Sequence, residues 1–208
     1  DDELSLVFHL MIAGRFHWKK ADTKPTRKVD LASFEFDNGT VMLTESSSKK
    51  RASLHVISGN ELLEEHDPGG LEILTCTLDE FAEVLLQENR TLKRALTNPH
   101  WFSGIGNAYS DEILHHAGLS PIQWTTRLSS EDVARLCEST RYIIASWIEK
   151  LLAQNGDKFP EKVTAFHDEM SVHGRFGKPC PRCKTQVQRI RYANNETNYC
   201  PTCQTAGK

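Results

Sequence analysis

Two Cys-x-x-Cys steps constrain this chain more than any other feature of it. They read Cys180-Pro181-Arg182-Cys183 and Cys200-Pro201-Thr202-Cys203, with sixteen residues between them. Two such pairs at that separation present four thiolates that close a tetrahedron around one zinc ion. Each proline helps to shape the tight knuckle that turns both sulfurs the same way. Between the pairs, residues 187–192 alternate like a strand and residues 193–198 read as a turn, so the unit is expected to be a β-hairpin stapled at its base. The competing arrangement is two structural disulfides, which belong to an oxidising compartment. Against it, Cys76 and Cys137 sit in apolar surroundings and nothing in the sequence reads as a signal peptide, so a reducing cytoplasm or nucleus is the expected setting, and secretion is not. A closed site of four cysteines leaves no position for water or substrate, so the metal is structural.

Charge suggests what the stapled hairpin touches. From position 175 to the last residue there are seven Lys or Arg against one acid, Glu196, although the whole chain carries a net charge of −3. A basic finger on a mildly acidic protein is a surface for polyanions, nucleic acid first among them. At 208 residues the chain has room for one large or two modest domains. No apolar run reaches membrane-spanning length.

Taken in order, residues 4–12 alternate as a strand with one strongly apolar face (Leu4, Leu6, Phe8, Leu10, Ile12) and His9 on the other. A basic loop is expected from Gly14 to Lys28. Residues 29–36 and 40–44 read as strands joined at Asp37-Asn38-Gly39, where Asn-Gly predicts a type I′ turn. Residues 45–51 form a polar, basic loop before a further strand at 54–57. A turn-rich linker follows at 61–70, after which the apolar period lengthens to that of helices. Thr77 and Glu80 make a capping box, a short helix is expected at 91–96, another at 107–117 ended by Gly118, and a long one capped by Ser129 and ended by Gly156. The long helix carries Val133, Leu136, Cys137, Ile143, Ile144, Trp147, Ile148, Leu151 and Leu152 on its expected buried face. Trp101, Trp124 and Trp147 are expected in the core, Asp111 and Glu112 beside the start of their helix dipole, and His115 and His116 beside its end.

Between two of these helices stands Phe102-Ser103-Gly104-Ile105-Gly106-Asn107-Ala108-Tyr109-Ser110-Asp111-Glu112-Ile113-Leu114. Glycines flanking one residue, with Asn at a helix start, form a turn whose amides and side chain point at one anion. Capping the helix is the simpler role for Asn107. This segment, with Ala117-Gly118-Leu119-Ser120-Pro121 after it, resembles the helix-two-turn-helix motif of the formamidopyrimidine-DNA glycosylase and endonuclease VIII family. Val172-His173-Gly174-Arg175-Phe176-Gly177-Lys178-Pro179-Cys180 resembles that family's lead-in to its zinc finger, and His9-Leu10-Met11-Ile12-Ala13-Gly14 a strand of its N-terminal β-sandwich.

The resemblance implies an α+β fold: the remainder of an antiparallel β-sandwich over residues 1–60, a linker at 61–70, a helical DNA-binding domain at 71–172 and a β-hairpin zinc finger at 173–208. It also implies base-excision repair, in which a damaged base is flipped out of duplex DNA and removed by an N-terminal proline amine, with the next residue, a glutamate, assisting. A Schiff base then promotes cleavage at the abasic site. Carried over by position, Asn107 and His9 would hold phosphates, the amides of Gly104 and Gly106 would add to that grip, and Met11 or Ile12 would fill the gap left by the flipped base. Arg51, or Lys49 or Lys50 beside it, would be the other probe of the opened duplex, and Arg175 lies in the finger's lead-in. The expected partner is double-stranded DNA with a damaged base or abasic site, bound by a monomer.

Two departures accompany the resemblance. The family's finger arginine is matched by Asn195, so either Arg189 or Arg191 takes over or the grip is weaker. The sequence opens on Asp1-Asp2-Glu3, and no residue of it corresponds to the family's Pro-Glu start, so no catalytic residue is assigned. The expectation is the larger part of a glycosylase whose N-terminal segment is removed or supplied separately. The alternative is a non-catalytic zinc-finger module binding damaged or abasic DNA. A third reading, an RNA-binding or adaptor zinc ribbon, is disfavoured by the few aromatics between the paired cysteines.

Overall fold

The computed structural model describes residues 4–59, 63–161, 163–192 and 195–205. Asp1-Asp2-Glu3, the linker positions Glu61 and Leu62, and Ala193 and Asn194 of the expected finger turn lie outside the described residues. The chain divides into two compact units, Asp1–Asp67 with Gln154–Val163, and Pro68–Ala153 with Thr164–Lys208.

The first unit is built of two small antiparallel sheets. Strand β1 (Leu4–His9) pairs with β5 (Ser53–Ser58), Leu4 opposite Ser58 and His9 opposite Ser53. Strands β2 (Gly14–Lys19), β3 (Asp30–Phe36) and β4 (Gly39–Glu45) form the other in the order β2-β4-β3. The sheets meet through Phe8, whose ring lies edge-on to Phe16 at 5.0 Å and Phe34 at 5.3 Å, a favourable aromatic geometry. Met42, Leu43 and Ile57 are the buried apolar residues described in this unit.

Three expectations fail here for local reasons. The first strand stops at His9, and the expected basic loop begins with a strand, because the chain reverses at residues 10–14: the Gly14 amide donates to the Leu10 carbonyl at 2.8 Å, and a Cβ on Gly14 would lie 2.3 Å from that oxygen. Phe16 and Trp18 then alternate with Arg15, His17 and Lys19 along β2. The Asn-Gly turn is not type I′ either. Phe36 pairs with Gly39, leaving Asp37 and Asn38 as the loop, and neither has positive φ. Gly39 is instead required by packing, since a Cβ there would meet the Trp18 indole at 2.3 Å.

The second unit is helical with a hairpin at its end. Helix α1 (Leu78–Leu86) starts with the expected reciprocal Thr77–Glu80 capping box. Helix α2 (Leu92–Leu96) is followed by α3 (Asn107–Ala117), which Gly118 ends in a left-handed conformation at φ 68°. A 3-10 turn (Thr125–Arg127) leads to α4 (Ser130–Asn155), where Ser129 Oγ accepts from the Asp132 amide at 3.2 Å. Strands β6 (Gln188–Tyr192) and β7 (Asn195–Tyr199) pair antiparallel, and a short helix α5 (Pro201–Thr205) closes the finger. The expected turn at 193–198 is therefore mostly strand.

Phe81, Leu85, Leu92, Leu96, Ile113, Leu114 and Leu136 are completely enclosed in one core. Along α4 the enclosed stripe ends at Trp147, so Ile148 and Leu152 are exposed against expectation, as is Trp124. Among the described residues, no helix is long and apolar enough to cross a membrane.

Candidate nucleic-acid interface and metal centre

The finger assembles from both ends of its hairpin. The Sγ atoms of Cys180, Cys183, Cys200 and Cys203 all lie within 4.8 Å of one another, with Cys183 and Cys200 3.3 Å apart and Cys180 and Cys203 4.0 Å apart. A disulfide requires about 2.05 Å, and all six cysteines are free. Four sulfurs at about 2.3 Å from a central zinc stand about 3.8 Å from each other. The donor set therefore fits one structural zinc and excludes the disulfide pairing. Cys180, Cys200, Val172 and Val187 form the finger's own small buried core.

The finger is fixed to the helices by contacts between residues far apart in the sequence. Asp111, buried in α3, accepts hydrogen bonds from His173 Nδ1 at 2.8 Å and from the Asn198 amide at 3.0 Å, and forms an ion pair with Lys93. Burial lowers the Lys93 pKa, and Asp111 pulls it back up. The neighbouring Glu112 carboxylate accepts the backbone amides of Ser171, Val172 and His173 at 2.7, 2.9 and 2.9 Å. These acids serve the lead-in and hairpin rather than the helix dipole, a correction to expectation. His115 is corrected likewise: it is buried with Nε2 3.3 Å from Cys180 Sγ. Its pKa is pushed down to about 4 by burial and then by the nearby Arg182 guanidinium. The neutral ring has one N–H to give the thiolate, the kind of outer hydrogen bond that orients a metal ligand. His116 meets Ser139 Oγ at 2.9 Å.

The turn before α3 matters for what lies outside the protein. Gly104 has φ 73°, a conformation that favours glycine. Gly106, not Asn107, is the N-cap residue, and no side chain caps the helix. Asn107 instead donates from Nδ2 to the Glu196 carbonyl at 3.0 Å, so the helix start is bonded to the hairpin. Gly106 has φ −96°, which any residue adopts, and a Cβ there would meet nothing within 4 Å. Neither backbone conformation nor internal packing explains the glycine at 106. Beside it opens a cavity of about 670 Å³, whose lining includes Asn107, Arg94, Ile190, Tyr192 and Asn195.

Three of the finger's arginines are engaged within the protein. Arg189 and Arg191 both contact the Glu196 carboxylate, at 3.3 and 2.9 Å. Arg175 donates to the carbonyls of Asp168 at 3.4 Å and Pro179 at 3.5 Å.

In the first unit, strand register brings two loops to one end. His9 pairs with Ser53 and Gly14 with Glu45, which places the turn bearing Met11 and Ile12 near the loop bearing Arg51. Met11 takes a left-handed φ of 52°, and Ile12 is 89% exposed at the tip. His9 and Arg51 are exposed. The buried Glu45 carboxylate, unnoticed in the sequence, accepts the Arg51 amide at 2.9 Å and the Ala52 amide at 3.1 Å, which fixes the loop backbone.

Known proteins with these features are consistent across the chain. Residues 71–155 match the family model described as the formamidopyrimidine-DNA glycosylase H2TH domain, and residues 177–206 match the zinc finger found in FPG and IleRS. A formamidopyrimidine-DNA glycosylase of Desulforamulus reducens is 30% identical over 217 residues, covering 99% of this chain and 76% of that one. An uncharacterized formamidopyrimidine-DNA glycosylase-like protein of Mycobacterium tuberculosis is 34% identical over 140 residues, covering 67% of this chain and 86% of that one. Among solved structures, the Lactococcus lactis FPG mutant G226P in complex with Fapy-dG-containing DNA superposes with a TM-score of 0.82 at 25% identity, covering 98% of this chain and 76% of that one. The L. lactis enzyme bound non-covalently to abasic-site DNA gives 0.79 at 27% identity, covering 98% and 75%. With its zinc finger, its helix-two-turn-helix segment and 30% identity to a family member over 99% of its own residues, the chain belongs to the formamidopyrimidine-DNA glycosylase family.

Proposed function

We propose that this protein acts in base-excision repair as a DNA glycosylase and abasic-site lyase, gripping damaged duplex DNA so that an oxidised base turns out of the stack and is removed. The observation that carries this reading is the Gly104–Asn107 turn: a helix start whose second glycine serves no internal need, opening on a cavity beside the zinc finger. A helix start supplies amide hydrogens and a partial positive charge to a phosphate, and a residue without Cβ lets the backbone approach closely. The relatives bound to Fapy-dG and abasic-site DNA support damaged duplex as the partner.

His9 adds a second phosphate ligand. Ile12, the more exposed of the two candidates at the turn, fills the space the base vacates, with Met11 supporting it and Arg51 reaching the opposite strand. Holding DNA by phosphates fixes register, and the apolar wedge offsets lost stacking. The zinc keeps the hairpin shaped and takes no part in the chemistry. The protein works as a monomer in the cytoplasm or nucleus.

The test is binding and trapping on a duplex with one abasic site. Wild-type protein is expected to prefer that duplex over undamaged DNA, and Asn107→Ala to lose at least tenfold in affinity. Borohydride trapping, with the intact mass and N-terminal residue of the purified protein determined alongside, tests the chemistry. A covalent adduct establishes the lyase; tight binding with no adduct from any form of the protein makes it a recognition module. Retained DNA binding in Cys183→Ser would overturn the role given to the zinc finger.

A further inference from the structure

The hairpin has two chemically different faces. Period-two alternation puts Ile190 and Tyr192 on one side of β6 and Arg189 and Arg191 on the other. Across the ladder, Ile190 pairs with Thr197 and Tyr192 with Asn195, and all four line the cavity beside Asn107. The arginine face is satisfied internally. Both guanidiniums meet the Glu196 carboxylate, whose pKa Arg191 in particular holds below the usual range, and Arg189 stacks 4.0 Å over the Phe176 ring. These arginines do not line the cavity that Asn107 faces.

The aromatic side chain that lines that cavity from the finger is Tyr192, 84% exposed near the hairpin tip. A large aromatic left this open gains nothing for folding. Arg94 also lines the cavity, exposed and, among the described residues, without a hydrogen-bond or ion-pair partner. Its neighbour Lys93 is already committed to Asp111, Ser110 and the Asn107 carbonyl.

We propose that Tyr192 and Arg94 together with Asn107 form a backbone clamp: Tyr192 lays its ring on the deoxyribose and donates a hydrogen bond from its phenol O–H to a phosphate oxygen, while Arg94 supplies the positive charge. Neither Arg189 nor Arg191 takes that part, and the finger's contribution to the clamp is neutral. The inference rests on the reading of the Asn107 face as the DNA interface. Its chemistry fits a phosphodiester strand, which offers sugar faces for an aromatic ring and anionic oxygens for both donors.

Charge makes the proposal measurable, because each neutralised phosphate contributes about 0.9 to the slope of log affinity against log salt. The experiment is fluorescence anisotropy with the full chain and a duplex carrying a tetrahydrofuran abasic-site analogue, at several salt concentrations, with zinc content checked for every variant. Tyr192→Ala is expected to weaken binding about tenfold with an unchanged salt slope. Arg94→Ala should weaken it similarly and reduce the slope by about one. Arg189→Ala and Arg191→Ala should stay within threefold of wild type. The proposal is overturned if Tyr192→Ala binds like wild type, or if Arg191→Ala is the variant that loses both affinity and slope. Failure of the wild-type chain to bind the duplex would instead remove the interface reading itself, and this inference with it.

Discussion

In the helical unit, Phe81, Leu85 and Leu114 have no solvent exposure, whereas in the β unit Leu4, Leu6 and Val56 are 59%, 47% and 65% exposed. Both units are regular in backbone and well paired, so the difference lies in what the side chains achieve. Apolar burial is the main favourable term in folding. The helical unit has it in a continuous core, and the β unit relies on its ladders, the Phe8–Phe16–Phe34 contacts and a few enclosed residues. Regular secondary structure is thus a poor guide to where stability resides in this protein.

The sharpest way to break that comparison is to remove one apolar side chain from each unit. Phe81→Ala is expected to cost about 4 kcal/mol in urea unfolding of the helical unit, and Leu6→Ala less than about 0.5 kcal/mol; equal costs would show that the β unit has a core of its own. Next in size is a pair of buried acids that hold backbone amides. Glu112→Ala leaves three amides without an acceptor and is expected to cost about 3 kcal/mol, with faster hydrogen exchange at residues 171–173. Glu45→Ala should speed exchange only at Arg51 and Ala52 and leave the urea midpoint of the helical unit unchanged.

A smaller effect is expected at the metal. His115→Ala should hasten transfer of zinc to a chelator by about tenfold while the circular dichroism of the helices stays as it was; an unchanged rate would mean that the Cys180 contact is packing alone. The smallest concerns Asp30 in the β unit. Its carboxyl pKa is lowered to about 2, chiefly by the Arg27 side chain and next by the Arg27 backbone amide. A group whose pKa falls on folding stabilises above its unfolded value, here 3.8, and that contribution is lost as pH drops through about 2. The thermal midpoints of wild type and Asp30→Asn should therefore differ near pH 6 and converge near pH 2.

What the sequence disclosed and what it withheld divide along physical lines. The zinc ligands, the Thr77–Glu80 box, the span of α3 and its Gly118 stop were legible because each depends on residues a few positions apart. Glu112 and His115 were not, since their partners lie 59 or more residues away and only the fold brings them together. Apolar periodicity also identifies which faces are capable of burial without saying whether anything covers them, which is why Ile148 and Leu152, on the expected buried face of α4, lie exposed. Asn-Gly misled in another way. It is a strong turn signal, but the Trp18 ring gave Gly39 a different duty.

The way Asp111 and Glu112 hold the hairpin bears on how this protein can be taken apart. A transplant of residues 173–208 onto another scaffold would carry every zinc ligand and leave behind the two carboxylates that receive Asn198, His173 and the lead-in amides. The portable module is the hairpin with its lead-in and α3, and a host would have to accept the helix to receive the finger.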